Sequence, residues 1–228
     1  MNTLEEYLMF AKAHPALFAN PPQGGITILL DEHEIQEAQT QMARWLESKG
    51  MPVEWARVGI VYQDQYARIL RDAVRFPGGF LGTYIRFVGE EDDPPGVVAL
   101  PFYREQVLLI RHFRHATRTW HTEIPRGFGK KGLSSEENAQ RELEEEIGAT
   151  ISRLVSLGPM HPDAAASTEC DALFFAEVAS YGKVEEEEAI TEILPTSVAD
   201  FERMIRENEI TDGFTLAAYA RAKAKGLL

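Results

Sequence analysis

Apolar residues in the first fifty or so positions fall at helical spacing. Leu4, Tyr7, Leu8 and Ala11 line one side of a segment from Thr3 to Ala13. Ile35, Ala38, Met42, Trp45 and Leu46 make a second stripe after Asp31, which with Glu34 three residues on has the spacing of a capping box. Pro15 and Pro21-Pro22-Gln23-Gly24-Gly25 separate the two helices, and Gly50 and Pro52 end the second. From about Trp55 the period shortens toward two. Segments 59–62, 67–76 and 79–88 read as strands, and the apolar runs 97–102 and 107–113 read as buried ones. Shorter strands are predicted at 122–125, 154–157 and 172–178, and helices at 134–147, 197–208 and 211–225. The pattern predicts an α/β (α+β) domain with a mixed sheet over 55–228, preceded by a helical extension over 1–54. Core packing or a dimer contact accounts for the stripes of the extension, which carries no group suited to chemistry.

Composition narrows the class. The chain has 228 residues, 44% hydrophobic and 26% charged, enough to bury a core without cross-links. Its formal net charge of −13 argues against nucleic acid, whose binding runs on basic surface. Cys170 is the single cysteine, so a disulfide within the chain is excluded, which fits a reducing compartment. No apolar run is long enough for a bilayer, and the first six residues are acidic where a secretion signal is basic. A cytoplasmic protein without a membrane partner is the expectation.

The densest chemistry lies in Arg141-Glu142-Leu143-Glu144-Glu145-Glu146-Ile147-Gly148. On a helix Glu142, Glu145 and Glu146 share one face, and like charges at that spacing repel. Two things can offset the repulsion: water around a solvated acidic face, or a hard divalent cation that takes carboxylate oxygens. The surroundings favour the cation. A glycine-rich turn, Pro125-Arg126-Gly127-Phe128-Gly129-Lys130-Lys131-Gly132, leaves a strand, and Ser134 with Glu137 then forms a capping box.

These residues resemble the Nudix box: Gly, five residues, Glu, seven residues, then Arg-Glu-apolar-x-Glu-Glu-x-Gly-apolar. Gly127, Arg141, Glu142, Leu143, Glu145, Glu146 and Gly148 match in register, whereas Leu133 stands at the first Glu and Ala149 at the last apolar position. In the family that first Glu supports the box arginine. Glu137, four residues before Arg141, has the spacing to replace it. Further text, Val107-Leu108-Leu109-Ile110-Arg111-His112-Phe113-Arg114 and Glu123-Ile124-Pro125-Arg126-Gly127, is similar to the ADP-ribose pyrophosphatase branch, with Arg126 where Ala is usual. The likeness extends from about Trp55 to Gly226.

The resemblance implies a Nudix-type α/β/α sandwich that cleaves the pyrophosphate bond of a nucleoside diphosphate linked to another group. ADP-ribose or a similar nucleotide sugar would be the substrate, and a nucleoside monophosphate and a sugar phosphate the products. It implies Mg²⁺, with Mn²⁺ as an alternative, held by Glu142, Glu145, Glu146 and the carbonyl of Arg126. Glu145 would also position water, and Glu186 or Glu188 in the later acidic loop would serve as the base. Arg114, and Arg111 with less support, would grip substrate, while Gly127, Arg141 and Gly148 shape the box. A homodimer joined through N-terminal strands is implied too. Two rivals stay open: a hydrolase of another nucleotide such as a dinucleotide, and a regulatory Nudix-fold module that binds nucleotide without turnover. Outside the box, His112, His115, His121 and His161 suit surface or packing roles better than zinc. The same holds of Trp45, Trp55 and Trp120, for which core packing is the simpler expectation than stacking on a base.

Overall fold

In a computed structural model residues 3–89, 94–182 and 189–228 are described. They form two compact units, 1–91 with 163–168, and 92–162 with 169–228. Among the described residues no helix is long and apolar enough to cross a membrane.

The first unit combines helices α1 (Thr3–Ala13) and α2 (Glu32–Ser48) with strands β1 (Thr27–Leu29), β2 (Gly59–Gln63), β3 (Arg68–Arg75) and β4 (Leu81–Val88). β3 is the centre of this antiparallel sheet: β4 runs along it, and β1 and β2 pair with its two ends. Tyr7, Ala11, Ile35 and Ala38 from the helices share one core with Leu70, Ala73, Leu81 and Val88 from the strands. Strand periodicity alone puts β2–β4 in the same domain as the later strands. The shared core instead groups them with the helices, because periodicity shows that a strand has a buried face but not which core receives it. Asp31 caps α2 as predicted, accepting from the backbone N–H groups of His33 and Glu34. The Glu34 carboxylate does not close the box but pairs with Arg75 at 2.6 Å. Segment 163–168 completes the unit. The Phe87 amide donates to the Ala166 carbonyl at 2.7 Å, the Thr168 amide donates to the Phe87 carbonyl at 3.0 Å, and Tyr84 Oη donates to the Ala165 carbonyl at 3.0 Å. Trp45 and Trp55 are exposed, contrary to the packing expected of them, as are Tyr62, Ile85 and Phe87.

The second unit is a three-layer sandwich. Among the described residues its strands are β5 (Val97–Tyr103), β6 (Gln106–Arg114), β7 (Thr119–Glu123), β8 (Arg126–Gly127), β9 (Thr150–Met160), β10 (Asp171–Ser180) and β11 (Ile190–Ser197). The main path runs β11-β6-β5-β10-β9. β5 and β10 are parallel and the other neighbours on that path antiparallel, so the sheet is mixed as predicted. Alternation on the strands assigns the two faces. Val97, Ala99, Leu108, Ile110, Phe174 and Ala176 pack with Leu143 and Ile147 of α3 (Ser135–Ile147). Val98, Leu100, Val107, Leu109, Leu173 and Phe175 pack with Phe201 of α4 (Val198–Arg206) and Ala218 of α5 (Gly213–Ala224). Burial on both faces is why β5 and β6 read as unbroken apolar runs.

One irregularity positions the chemistry. β5 and β6 pair with each other only at their hairpin end, through Phe102↔Val107 and Tyr103↔Gln106. Beyond it they diverge. β7 takes the edge of β6 from Ile110 to Arg114, and β8 takes the edge of β5 at Val97 and Val98. Segment 123–127 is therefore wedged into the fork, with Ile124 fully buried and its amide donating to Thr215 Oγ1 at 3.1 Å.

In the first unit the buried polar contact is Asp72, which accepts from Tyr7 Oη at 2.7 Å and from Arg86 Nε at 2.6 Å. Breaking one side of a buried ion pair leaves the other charge uncompensated. Asp72→Ala should lower the unfolding free energy by about 3–5 kcal/mol, and Tyr7→Phe by about 1 kcal/mol. Denaturant titration of both variants checks this ordering.

Candidate active site

The helix that carries the acidic run is fixed at both ends by its own sequence. Ser134 Oγ accepts from the Glu137 amide at 3.1 Å, and Glu137 Oε2 accepts from the Ser134 amide at 2.7 Å, completing the capping box. At the other end Gly148 takes a left-handed conformation, φ 59°, and lies so close to the Gly182 backbone that a Cβ would crowd it at 3.1 Å. Asn138, fully buried, accepts from the Lys130 amide at 2.9 Å and so ties the glycine-rich turn to the first turn of the helix.

Leu143 and Ile147 turn into the core, and this sets where the acids point. Glu142 and Glu146 are buried, Glu145 is half-buried and Glu144 is exposed. The face reading thus holds for Glu142, Glu145 and Glu146, and simple solvation does not account for the two buried members. A Cβ at Gly127 would collide with both oxygens of the Glu142 carboxylate, so the carboxylate lies directly on the Gly127 backbone. Only glycine leaves that space.

Arg141 bridges the acids: its guanidinium pairs with Glu142 and Glu145, and Nη2 donates to the Phe128 carbonyl at 3.0 Å. Glu137 is not its partner, since that carboxylate is used in the helix cap. The family's first Glu has no counterpart at Leu133, and the box acids themselves anchor the arginine.

The wedge distributes its side chains by strand alternation. Glu123 pairs with Ile110 in register and shares the α3 face with His112 and Arg114. Glu123 is fully buried; its Oε1 accepts from Arg114 Nη2 and lies 3.3 Å from His112 Nδ1. Burial pushes the Glu123 pKa up, but bonds from His112 and Arg114 and the charges of Arg114 and Arg126 outweigh it and leave the group below the ordinary glutamate value. Arg111, one residue out of phase with Arg114, lies on the opposite face, exposed, 5.9 Å from the ring of an exposed Trp120. The structure therefore brings Arg114 to the α3 face and leaves Arg111 off it.

Arg126 pairs with Val98 in register and its side chain turns the other way, to the N-terminus of α5. Its guanidinium stands 3.7 Å from Asp212 and 4.6 Å from the Phe214 ring centroid. Its backbone is paired with β5 on this edge, whatever the side chain does. Nearby, burial and the charge of Glu169 raise the Asp171 pKa above its usual range, partly offset by Arg126 and His161.

Other expectations resolve simply. Glu186 and Glu188 lie outside the described residues. His115 bonds Arg118, His121 bonds Thr117 and His161 bonds the Glu169 carbonyl. Among the described residues no group of three His, Cys, Asp or Glu side chains is arranged to hold a metal ion, and this includes Glu142, Glu145 and Glu146 as they stand, two of them turned to Arg141. Sequence reasoning does not single out the Glu123 and His112 pair. A signal for it exists: His112 and Arg114 are two apart on one strand, and Glu123 opens the wedge.

By residue type, the oxygens near Gly127 are those that a hard divalent cation takes. Glu142 and Glu145 offer carboxylate oxygens, buried Glu146 follows one helical turn after Glu142, and the Arg126–Gly127 peptide supplies backbone against Glu142.

Comparison with known proteins agrees with this geometry. The NUDIX domain family model matches residues 92–218. The ADP-ribose pyrophosphatase of Bacillus subtilis (strain 168) is 28% identical over 131 residues, covering 55% of this chain and 70% of that protein. The crystal structure of an ADP compounds hydrolase superposes with a TM-score of 0.65 at 18% identity, over 75% of this chain and 95% of the other, which identifies a shared fold. A capped helix bearing buried glutamates against a glycine backbone, inside a matched region that covers more than half of the chain, places the protein in the NUDIX family, as a Nudix pyrophosphohydrolase.

Proposed function

We propose that the protein hydrolyses the pyrophosphate bond of ADP-ribose or a closely similar nucleotide sugar, releasing a nucleoside monophosphate and a sugar phosphate. The observation that carries this reading is the Glu142 carboxylate packed on the Gly127 backbone, in a chain related to an ADP-ribose pyrophosphatase. Glu142, Glu146, Glu145 and the Arg126 carbonyl would hold Mg²⁺, or Mn²⁺ in its place. A bound divalent ion neutralises diphosphate charge and favours ionisation of an attacking water.

The remaining work falls to the chain itself. Arg141 keeps Glu142 and Glu145 in place through their shared guanidinium. Arg114, anchored on Glu123, presents forked donors suited to a phosphate. Arg111 is the less supported contact. Glu186 or Glu188 would take a proton from water as the general base, with Glu145 orienting that water. The exposed Tyr62, Ile85 and Phe87 on the sheet of the first unit support a homodimer formed through that sheet.

A phosphate-release panel with Mg²⁺ tests the substrate. Turnover of ADP-ribose supports the proposal; turnover of dinucleotides alone moves the substrate class; tight nucleotide binding without turnover removes the hydrolase reading. Glu142→Gln should lower kcat on the active substrate about a hundredfold or more, whereas Leu133→Glu should change it less than about threefold, because Arg141 already has its partners. Gly127→Ala should weaken Mn²⁺ affinity about 10–100-fold in a paramagnetic titration while the circular dichroism spectrum stays native. Light scattering on a sizing column should give twice the chain mass; a clean monomer at assay concentration would remove the dimer.

A further inference from the structure

We propose that Glu123 is a positioning residue that fixes the Arg114 guanidinium for an anionic, pyrophosphate-bearing substrate. The inference rests on the pyrophosphohydrolase reading and adds to it a residue that does not itself touch the substrate.

Three observations carry it. Glu123 is fully buried, yet only Oε1 is hydrogen-bonded, by Arg114 Nη2, with His112 Nδ1 standing 3.3 Å away; Oε2 is buried without a hydrogen-bond partner. A buried carboxylate with an idle oxygen is a poor device for stability alone, because its desolvation is only half answered. Arg114, for its part, spends Nη2 on Glu123, and its Nε is buried with no partner. The side chain is 24% exposed, so the guanidinium is held from behind and keeps donors to spare. Its backbone is fixed as well: the Arg114 carbonyl, at the end of β6, accepts from the Arg118 amide at 2.9 Å.

The location completes the argument. Strand register places Glu123, His112 and Arg114 on the α3 face of the sheet, the face to which Gly127 also belongs through its pairing with Val97. Glu123 opens the same five-residue wedge whose last member, Gly127, touches the Glu142 carboxylate. A rigid wedge thus joins the anchor of the arginine to the backbone beside the acids. An arginine on a flexible stem loses side-chain freedom when it binds an anion; one already pinned by a buried carboxylate loses less, so the pin is read out in substrate affinity.

Steady-state kinetics and calorimetry together test the assignment. Glu123→Gln keeps the shape and removes the charge. It should raise KM for ADP-ribose about tenfold while kcat moves less than about twofold, a split that a merely structural loss would not produce. The Glu123→Gln/Arg114→Ala double variant should be no worse than Arg114→Ala alone, because the anchor acts only through the arginine. Calorimetric titration of inorganic pyrophosphate with Mg²⁺ gives a readout that does not depend on turnover. If the parent protein binds pyrophosphate but does not cleave ADP-ribose, the substrate reading fails while the role of Glu123 is still measured. If Glu123→Gln does not fold, Glu123→Asp, which keeps the charge but withdraws it from Arg114, should show the same loss of pyrophosphate affinity. Pyrophosphate affinity within about twofold of the parent in the folded variant, or additive losses in the double variant, would overturn the proposal.

Discussion

The contact between the Glu142 carboxylate and the Cα of Gly127 is the constraint on which the second unit turns. A carboxylate is costly to bury, and a backbone bend is costly to bury beside it unless polar groups answer each other. The fold accepts both costs at one point. α3 is held against the sheet by Leu143 and Ile147, and the wedge is held in the β5–β6 fork by buried Ile124. Neither element can relax away from the other without opening the core. The acid therefore stays where a side chain at 127 would otherwise be.

The fork also explains how five consecutive residues serve two layers. In an extended segment, neighbours point to opposite faces. Glu123 and Gly127 belong to the α3 layer, while Arg126 turns to Asp212 and Phe214 at the start of α5. The wedge thus gives α3 a carboxylate and a bare backbone, and gives α5 a cation beside its capping aspartate. Arg126 in place of a small residue costs the α3 face nothing, because its side chain never enters that face.

How much of this is legible in the sequence depends on the range of the interaction. The capping box at Ser134 and Glu137 and the terminating Gly148 are local, and they appear as predicted. The two-sided burial of β5 and β6 is legible because an unbroken apolar run of strand length has no polar face to give to water. The partner of Arg141 is not Glu137, as expected, because helix spacing offers Glu137 and Glu145 equally, and only the cap shows that Glu137 is already engaged. β11 escapes a periodicity reading, being marked by Pro195 and polar residues; it pairs with the β6 edge, where proline is tolerated. The grouping of β2–β4 with the N-terminal helices is a property of a shared core, which no local pattern encodes. The Glu123 and His112 contact joins two strands through register, and it becomes visible only once Ile110 is known to face Glu123.

Charge balance on α3 connects the fold to its chemistry. Glu142, Glu145 and Glu146 bring three negative charges to one helical face, and Arg141 returns one positive charge through its contacts with Glu142 and Glu145. Glu142 lies against a backbone that a Cβ would obstruct. Arg141 offsets part of the repulsion between Glu142 and Glu145, while the caps at Ser134 and Gly148 hold the helix ends. The acidic face is thus held by Arg141, which spans Glu142 and Glu145, and by caps that act from either end, so that solvent alone is not what keeps like charges on one turn.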